Sequence, residues 1–362
     1  MLLVKDLDTI HIEITNKCNA RCPGCERTVN GDTHPFLKAN PVEWTLSDFQ
    51  HKFPKESIID TEFYFGGTVD DPLMNSHVYD ITKYIIDNDG SAIIETNTGA
   101  NTAETYKKLG KLSYDSKKLF IKFSVDGLEH TNHLYRVNVK WQKVMENMKA
   151  YISEKGSCQW QYLVFDHNYD DTENAKKLAK DLGVDLVLRQ NVRNVKTWTS
   201  KIKSKNKETK KIETKEFKVK TTPKFQHPEL NKVATGIFKK ENPVTIKQKK
   251  SINCLMVHQR EIFVAWNSRV WPCCWFATDS FARFDYFKKL DEKLGTNWNN
   301  LKYNSLSEIL QHEYYAKILQ ESWTNPTFKE YYYPFCYEKC GDNNARTNYV
   351  REYLNKNEKN PL

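Results

Sequence analysis

Three cysteines close to the N-terminus constrain this chain more than any other feature. Cys18, Cys22 and Cys25 lie in Asn16-Lys17-Cys18-Asn19-Ala20-Arg21-Cys22-Pro23-Gly24-Cys25, a C-x3-C-x2-C spacing. Three thiolates this close can hold three corners of a cubane iron–sulfur cluster. The remaining iron would keep an open coordination position, the mark of a catalytic metal site rather than a structural one. The motif follows the apolar, β-branched run Thr9–Thr15, which places it in the loop leaving the C-terminal end of a first strand. The rival is a structural zinc knot. It needs a fourth Cys or His nearby, and His34 is the local candidate.

A chain of 362 residues is long enough for one large domain and a smaller one. Aromatic residues make up 13% of it, enough for a substantial core. No apolar run approaches the roughly 20 residues of a membrane span. The opening Met1-Leu2-Leu3-Val4-Lys5-Asp6 lacks the layout of a signal peptide. The expectation is therefore a cytoplasmic protein that does not engage a membrane. In a reducing compartment nine cysteines point to metal ligation rather than disulfides, and an odd number cannot pair completely.

The net charge of +9 is unevenly spread. Residues 196–250 carry 17 Lys and no Arg against five Glu and no Asp, a net +12 that leaves −3 for the rest. The core of this segment, Lys201–Lys211, reads as a solvated linker or insertion. A basic arm that contacts nucleic acid or an acidic peptide is the sharper alternative. Lys without Arg or interleaved aromatics lacks bidentate and stacking contacts, which weakens the nucleic-acid case.

From residue 9 to 189 short β-branched or aromatic runs alternate with helix-like segments. The expected strands are Thr9–Thr15, Thr61–Phe65, Ala92–Thr96, Leu119–Val125, Gln159–Phe165 and Val184–Leu188. Helices are expected near Ser47 and over Val78–Asp87, Ala103–Lys111, Trp141–Glu154 and Thr172–Leu182, the last stopped by Gly183. Six βα units imply a parallel sheet with right-handed crossovers.

The cysteine motif in this setting resembles the radical S-adenosylmethionine (SAM) superfamily. The resemblance implies an α/β fold: a partial (βα)6 TIM-like barrel with its active site at the C-terminal ends of the strands. It also implies a [4Fe–4S] cluster whose open iron is chelated by SAM, and an enzyme that cleaves SAM reductively to a 5′-deoxyadenosyl radical. The cofactor carries the difficult chemistry and the protein supplies position and shielding.

Four further motifs are similar to those of the family. Phe65-Gly66-Gly67-Thr68-Val69-Asp70-Asp71 resembles its glycine-rich motif for the SAM amino group, although Thr68 stands where Glu is usual and Asp70 or Asp71 would have to supply the carboxylate. An ordinary βα turn is the alternative reading of Gly66-Gly67. Glu95-Thr96-Asn97-Thr98-Gly99 is similar to the family's Thr-Asn-x-Gly turn, so Asn97 either contacts SAM or substrate or caps the next helix. Ser124-Val125-Asp126-Gly127 is similar to a Ser-x-Asp-Gly segment, implying Ser124 for the ribose hydroxyls and Asp126 for SAM or for the turn. Arg136, after His133-Leu134-Tyr135, is a candidate for the SAM carboxylate or a surface Arg. No residue is named as the catalytic acid, base or hydrogen donor.

Five more cysteines follow the basic segment: Cys254, Cys273, Cys274, Cys336 and Cys340. This looks like the SPASM/twitch extension of radical SAM enzymes, with a hairpin over Glu261–Trp266 and Val270–Trp271. The resemblance implies one auxiliary [4Fe–4S] cluster on Cys254, Cys273, Cys336 and Cys340, with structural zinc as the rival. Cys274 would point away from Cys273 on an extended chain. Cys158 reads as a core residue.

The expected domains are 1–195 for the barrel, 196–250 for the linker or insertion and 251–362 for the auxiliary domain. Relatives with SPASM domains often modify peptides, so a peptide or protein substrate is expected, with an electron donor such as flavodoxin or ferredoxin. RNA or nucleotide modification, and a non-catalytic iron–sulfur or zinc protein, are the alternatives.

Overall fold

The computed structural model describes residues 3–190, 197–205, 211–220, 252, 254–282 and 284–341. They belong to two compact units. One comprises Met1–His11, His51–Ser57 and Asn231–Leu362, the other Ile12–Gln50 and Ile58–Leu230.

The strands are β1 (Thr9–Ile12), the short pair β2 (Thr28–Val29) and β3 (Asp32–Thr33), then β4 (Glu62–Phe65), β5 (Ser91–Thr96), β6 (Leu119–Ser124), β7 (Cys158–Val164) and β8 (Asp185–Gln190). β4 to β8 pair in chain order and in parallel, with Phe65 opposite Ile94, Ile94 opposite Ile121, and Phe123 opposite Trp160 opposite Leu186. The helices are α1 (Pro35–Ala39), α2 (Leu46–Lys52), α3 (Val78–Asp87), α4 (Ala103–Ser116), α5 (Asn132–Tyr135), α6 (Trp141–Ser153) and α7 (Thr172–Leu182). This is a central parallel sheet of partial-barrel type, and all six expected strands are present to within a few residues of their expected ends.

Alternation along the strands decides the two faces of the sheet. Phe63, Phe65, Ile94, Ile121, Phe123, Trp160 and Tyr162 are fully buried. The buried stripes of the helices are their counterpart, as where Phe123 meets Tyr151 of α6 edge-on at 5.7 Å. The intervening residues Tyr64, Glu95, Lys122, Gln159 and Gln161 are only half-buried. A parallel sheet covered on both faces would carry continuous apolar runs. Here one face is polar, and the functional side chains lie there.

α3 and α7 have the bounds expected from sequence, and Gly183 closes α7 at φ +72° with its N–H on the Ala179 and Lys180 carbonyls. α4 runs five residues past its expected end at Lys111. Gly110 is not a stop: a Cβ there would lie 2.5 Å from the Tyr151 carbonyl oxygen, so glycine lets α4 and α6 approach closely.

The Lys-rich segment differs from a solvated linker where it is described. β9 (Thr197–Lys205) and β10 (Ile212–Lys220) form an antiparallel hairpin, with Trp198 opposite Val219 and Ser200 opposite Phe217. Residues 196, 206–210 and 221–250 of the expected linker lie outside the described residues. The base of the hairpin is anchored. Val219 is fully buried, the Ser200 hydroxyl donates to the Leu134 carbonyl at 2.6 Å, and Asp166 N–H donates to the Lys220 carbonyl. Trp198 packs on Tyr135 and Phe165 at ring distances of 6.5 and 6.2 Å.

The other unit holds an antiparallel hairpin, β11 (Glu261–Val264) and β12 (Val270–Trp271), with Phe263 opposite Trp271. β11 lies beside β1. Trp271 is fully buried, with Phe276, Phe287 and Trp298 around it. Among the described residues no helix is long and apolar enough to cross a membrane.

His167 reports on the hairpin base. Its ring stacks on Phe165 and meets Phe217 edge-on, and neither ring nitrogen has a hydrogen-bond partner among the described residues. Burial pushes its pKa from the usual 6.5 down to about 4, although Asp166 and Asp171 act in the opposite sense. Between those values the unfolded chain takes up a proton that the folded chain does not, so stability falls as pH drops from 6.5 towards 4, by at most about 3 kcal/mol. His167→Phe should flatten the melting temperature over that window. An unchanged slope in a pH series of melting curves would remove His167 as the cause.

Candidate functional site

The cysteine loop starts where Asn16 fastens the chain. Its amide donates to the Asn40 carbonyl at 2.6 Å and accepts from Val42 N–H at 2.9 Å. The loop then turns at Gly24, φ +77°, with Cys25 N–H on the Cys22 carbonyl at 3.3 Å. The three sulfurs meet the loop after β5, the residue that follows α5 and the loop after β4. Asn97 Nδ2 lies 3.7 Å from Cys18 Sγ, Arg136 Nη1 lies 3.8 Å from Cys22 Sγ, and Cys25 Sγ lies 3.8 Å from the Thr68 carbonyl. Burial pushes the Cys22 thiol up to about 11 against the pull of Arg136, and raises Cys18 well above its usual value.

β4 delivers Gly66 and Gly67. A side chain at Gly67 would collide with Asp70, since a Cβ there would lie 1.5 Å from Oδ1. Thr68 is committed to Glu13, a residue that sequence reasoning missed: its N–H and Oγ1, and Val69 N–H, all donate to Glu13 Oε1 at 2.7, 2.9 and 3.0 Å. Glu13 is 1% exposed. Arg27 Nη1 donates to the carbonyls of Asn16 (2.8 Å) and Val69, tying the two loops together.

The two aspartates differ. Asp71 accepts from Leu73 N–H, Thr96 Oγ1 and Asn97 N–H, so it locks the loop after β5. Both carboxylate oxygens of Asp70 are buried with no partner among the described residues. Burial first, and then Glu13 and Asp71, push its pKa well above the ordinary carboxylate value.

Asn97 does not cap the following helix. Thr102 does, accepting from Thr105 N–H, while Asn97 Nδ2 donates to Asn19 Oδ1 of the cysteine loop at 2.8 Å. Ser124 Oγ donates to Glu95 Oε1 at 2.8 Å, and Tyr64 OH donates to Oε2. Burial acts against the Glu95 charge, but Lys122, Tyr64 and Ser124 outweigh it and lower its pKa. Glu95 has no role in the sequence analysis; a charged residue near the C-terminal end of a β-branched strand is the available signal. Arg136 is not a surface residue. Its Nε donates to Asp126 Oδ2 at 2.6 Å, and Leu163 N–H occupies Oδ1. Burial acts against the guanidinium charge, but Asp126 and Cys22 outweigh it and raise its pKa.

In the other unit Cys254, Cys273, Cys336 and Cys340 line one pocket, with Trp275, Phe276 and Tyr333 among the residues around them. Cys274 is not among the lining residues. Cys336 and Cys340 stand four apart on the helix Pro334–Cys340 and so share a face. Burial raises Cys254 to about 11 and lifts Cys273 and Cys336 as well, each further raised by neighbouring cysteines. Buried sets of thiols without carboxylates suit an iron–sulfur cluster. His34, the fourth ligand that the local zinc alternative needs, accepts from Phe36 N–H through Nδ1 at the start of α1. Among the described residues no group of three or more His, Cys, Asp or Glu is placed to hold a metal ion.

A family model for the SPASM iron–sulfur cluster-binding domain matches residues 254–341. Residues 254–341 are thus similar to an iron–sulfur cluster-binding domain. The chain is 23% identical over 343 residues to the tungsten-containing aldehyde ferredoxin oxidoreductase cofactor-modifying protein of Pyrococcus furiosus, covering 90% of this chain and 85% of the relative. The fold is similar to that of anSMEcpe with bound AdoMet, at a TM-score of 0.52 and 13% identity over 87% of this chain and 80% of the other. anSMEcpe with AdoMet and the Cp18Cys peptide matches at 0.51 and 13%, over 87% and 83%. The family-model match places the second group of cysteines, Cys254 to Cys340, within an iron–sulfur domain.

Glu13→Ala would leave the Thr68 N–H, the Thr68 hydroxyl and the Val69 N–H without their buried acceptor. A loss of about 2–4 kcal/mol in the metal-free protein is expected. Denaturant titration checks it, and Glu13→Gln, which keeps an acceptor oxygen, should lose less.

Proposed function

We propose that this chain is a radical SAM enzyme that cleaves SAM at the Cys18, Cys22 and Cys25 loop and abstracts hydrogen from a peptide or protein side chain. The observation that carries the reading is the meeting of each loop sulfur with a different segment, at Asn97, Arg136 and Thr68. When bound, a [4Fe–4S] cluster supplies one electron to the SAM sulfonium.

The chain's own residues bind and orient. Cys18, Cys22 and Cys25 hold the cluster, while Asn97 and Arg136 direct N–H groups at two of the sulfurs and fix the loop. Gly66 and Gly67 expose backbone to SAM. Asp70, without a partner among the described residues, offers the carboxylate for the SAM amino group that Thr68 lacks. Glu95 holds the Ser124 hydroxyl hydrogen, which would leave the oxygen lone pairs free to accept from a ribose hydroxyl. Asp126 holds Arg136 in place and keeps it charged. Cys254, Cys273, Cys336 and Cys340 hold an auxiliary [4Fe–4S] cluster, and flavodoxin or ferredoxin supplies electrons.

The peptide substrate is supported by the fold shared with anSMEcpe, whose structure was solved with a peptide. A second reading, modification of another protein's cofactor, is favoured by the likeness to the Pyrococcus furiosus protein over 90% of this chain. Deoxyadenosine release coupled to a mass change in candidate peptides, against coupling to an added metal cofactor, separates the two.

Anaerobically reconstituted protein should contain about eight irons, as two cubanes. The triple change of Cys18, Cys22 and Cys25 to Ala should leave about four and abolish 5′-deoxyadenosine formation. Iron content indifferent to the triple change would sink the assignment. Zinc in place of the second set of irons, read by elemental analysis, would correct the auxiliary site.

The exposed lysines of the β9–β10 hairpin favour an acidic polypeptide. Changing the exposed Lys203, Lys211 and Lys215 to Glu should weaken binding of an acidic test peptide about tenfold at low salt. It should also flatten the salt dependence. Equal affinity of wild type and variant at low salt would separate the hairpin from substrate capture.

A further inference from the structure

The cysteine loop carries one contact that its own motif does not require. Trp198 of β9 lies against Gly24, between Cys22 and Cys25. A Cβ on Gly24 would stand 2.5 Å from Cε2, 2.7 Å from Nε1 and 2.9 Å from Cζ2 of the indole. The hairpin repeats the contact at Gly31, where a Cβ would stand 2.5 Å from Lys201 Cβ. Both glycines are in the left-handed region, at φ +77° and +78°. The indole is held from behind by Tyr135 and Phe165, and the Ser200 hydroxyl bonds the Leu134 carbonyl. The residue after Tyr135 is Arg136, whose guanidinium faces Cys22 Sγ. A segment with the composition of a solvated linker thus packs onto the turn between two of the three thiols, and its aromatic anchor adjoins the Arg that faces one of them.

We propose that Trp198 is a positioning residue for the Cys22–Cys25 turn, and that the β9–β10 hairpin covers this side of the catalytic cluster against water and dioxygen. The proposal rests on the reading that the three cysteines hold a cluster. The physical basis is threefold. A flat apolar ring in contact with a glycine Cα leaves no room for solvent there. A glycine at positive φ is the loop's most deformable point, so a rigid lid on it restricts the turn. Solvent exposure and the second shell tune both potential and lability of a cluster.

The test is the decay, in air, of the cluster EPR signal that responds to added SAM, measured on the full reconstituted chain. Trp198→Ala should lose that signal about tenfold faster than wild type and shift its midpoint potential, while a SAM-insensitive auxiliary signal decays unchanged. Trp198→Phe should fall between the two. Gly24→Ala, which drives a Cβ into the indole, should also hasten decay. In the metal-free protein Gly24→Ala should lower the melting temperature more in the wild-type background than in Trp198→Ala, because the second background removes the clash. This thermal cycle needs no cluster, so it separates a failure of the contact from a failure of the cluster assignment. A wild-type protein without a SAM-responsive signal would overturn the cluster assignment on which the cover depends. Wild-type decay rates and potential in Trp198→Ala, or in Trp198→Phe and Gly24→Ala together if the first does not fold, would overturn the cover itself.

Discussion

Two buried charges of opposite sign, Glu13 and Arg27, hold the loops after β1 and β4 together, and the rest of the site depends on that junction. Glu13 gathers the N–H groups of Thr68 and Val69, and Arg27 gathers the carbonyls of Asn16 and Val69. Val69 is therefore gripped at both its N–H and its carbonyl. Removing either side chain would leave its buried backbone partners unsatisfied. With this junction closed, the Thr68 carbonyl reaches Cys25 and the glycine pair is presented beside the cysteine loop.

The polar layer beneath is arranged on the same principle of complete satisfaction. Glu95 is met by Tyr64, Ser124 and the Lys122 charge, and Asp126 by Arg136 and Leu163 N–H. The Ser124 hydroxyl is oriented by Glu95 and the Arg136 guanidinium by Asp126. Asp70 departs from the pattern, and it does so next to Gly67, where backbone is exposed.

Much of this was legible in the sequence, for definite reasons. Period-two alternation in Glu62–Phe65 and Cys158–Val164 fixed strands, and Gly183 fixed the end of α7. The C-x3-C-x2-C spacing is local, so it survives without knowledge of the fold. What was missed is long-range. Glu13 sits within a run read as strand, and its importance appears only when Thr68, 55 residues away, donates to it. The cap of α4 belongs to Thr102 because Asn97 is turned towards Asn19, a choice that no local rule makes. The hairpin at Thr197–Lys205 was hidden by its lysines, which read as a charge run. Trp198, Ser200 and Ile202 alternating with Thr199, Lys201 and Lys203 were the strand signal.

The two sets of thiols differ in how the chain supplies them. Cys18 to Cys25 are contiguous, whereas the lining of the second pocket is drawn from Cys254, from Cys273 and from the helix ending at Cys340. A growing chain exposes the first set early and as a unit. The second cannot be assembled until residue 340 has left the ribosome. The two sets therefore emerge at different times, and a chain cut short before that helix would retain the whole first set while lacking half the sulfurs of the second.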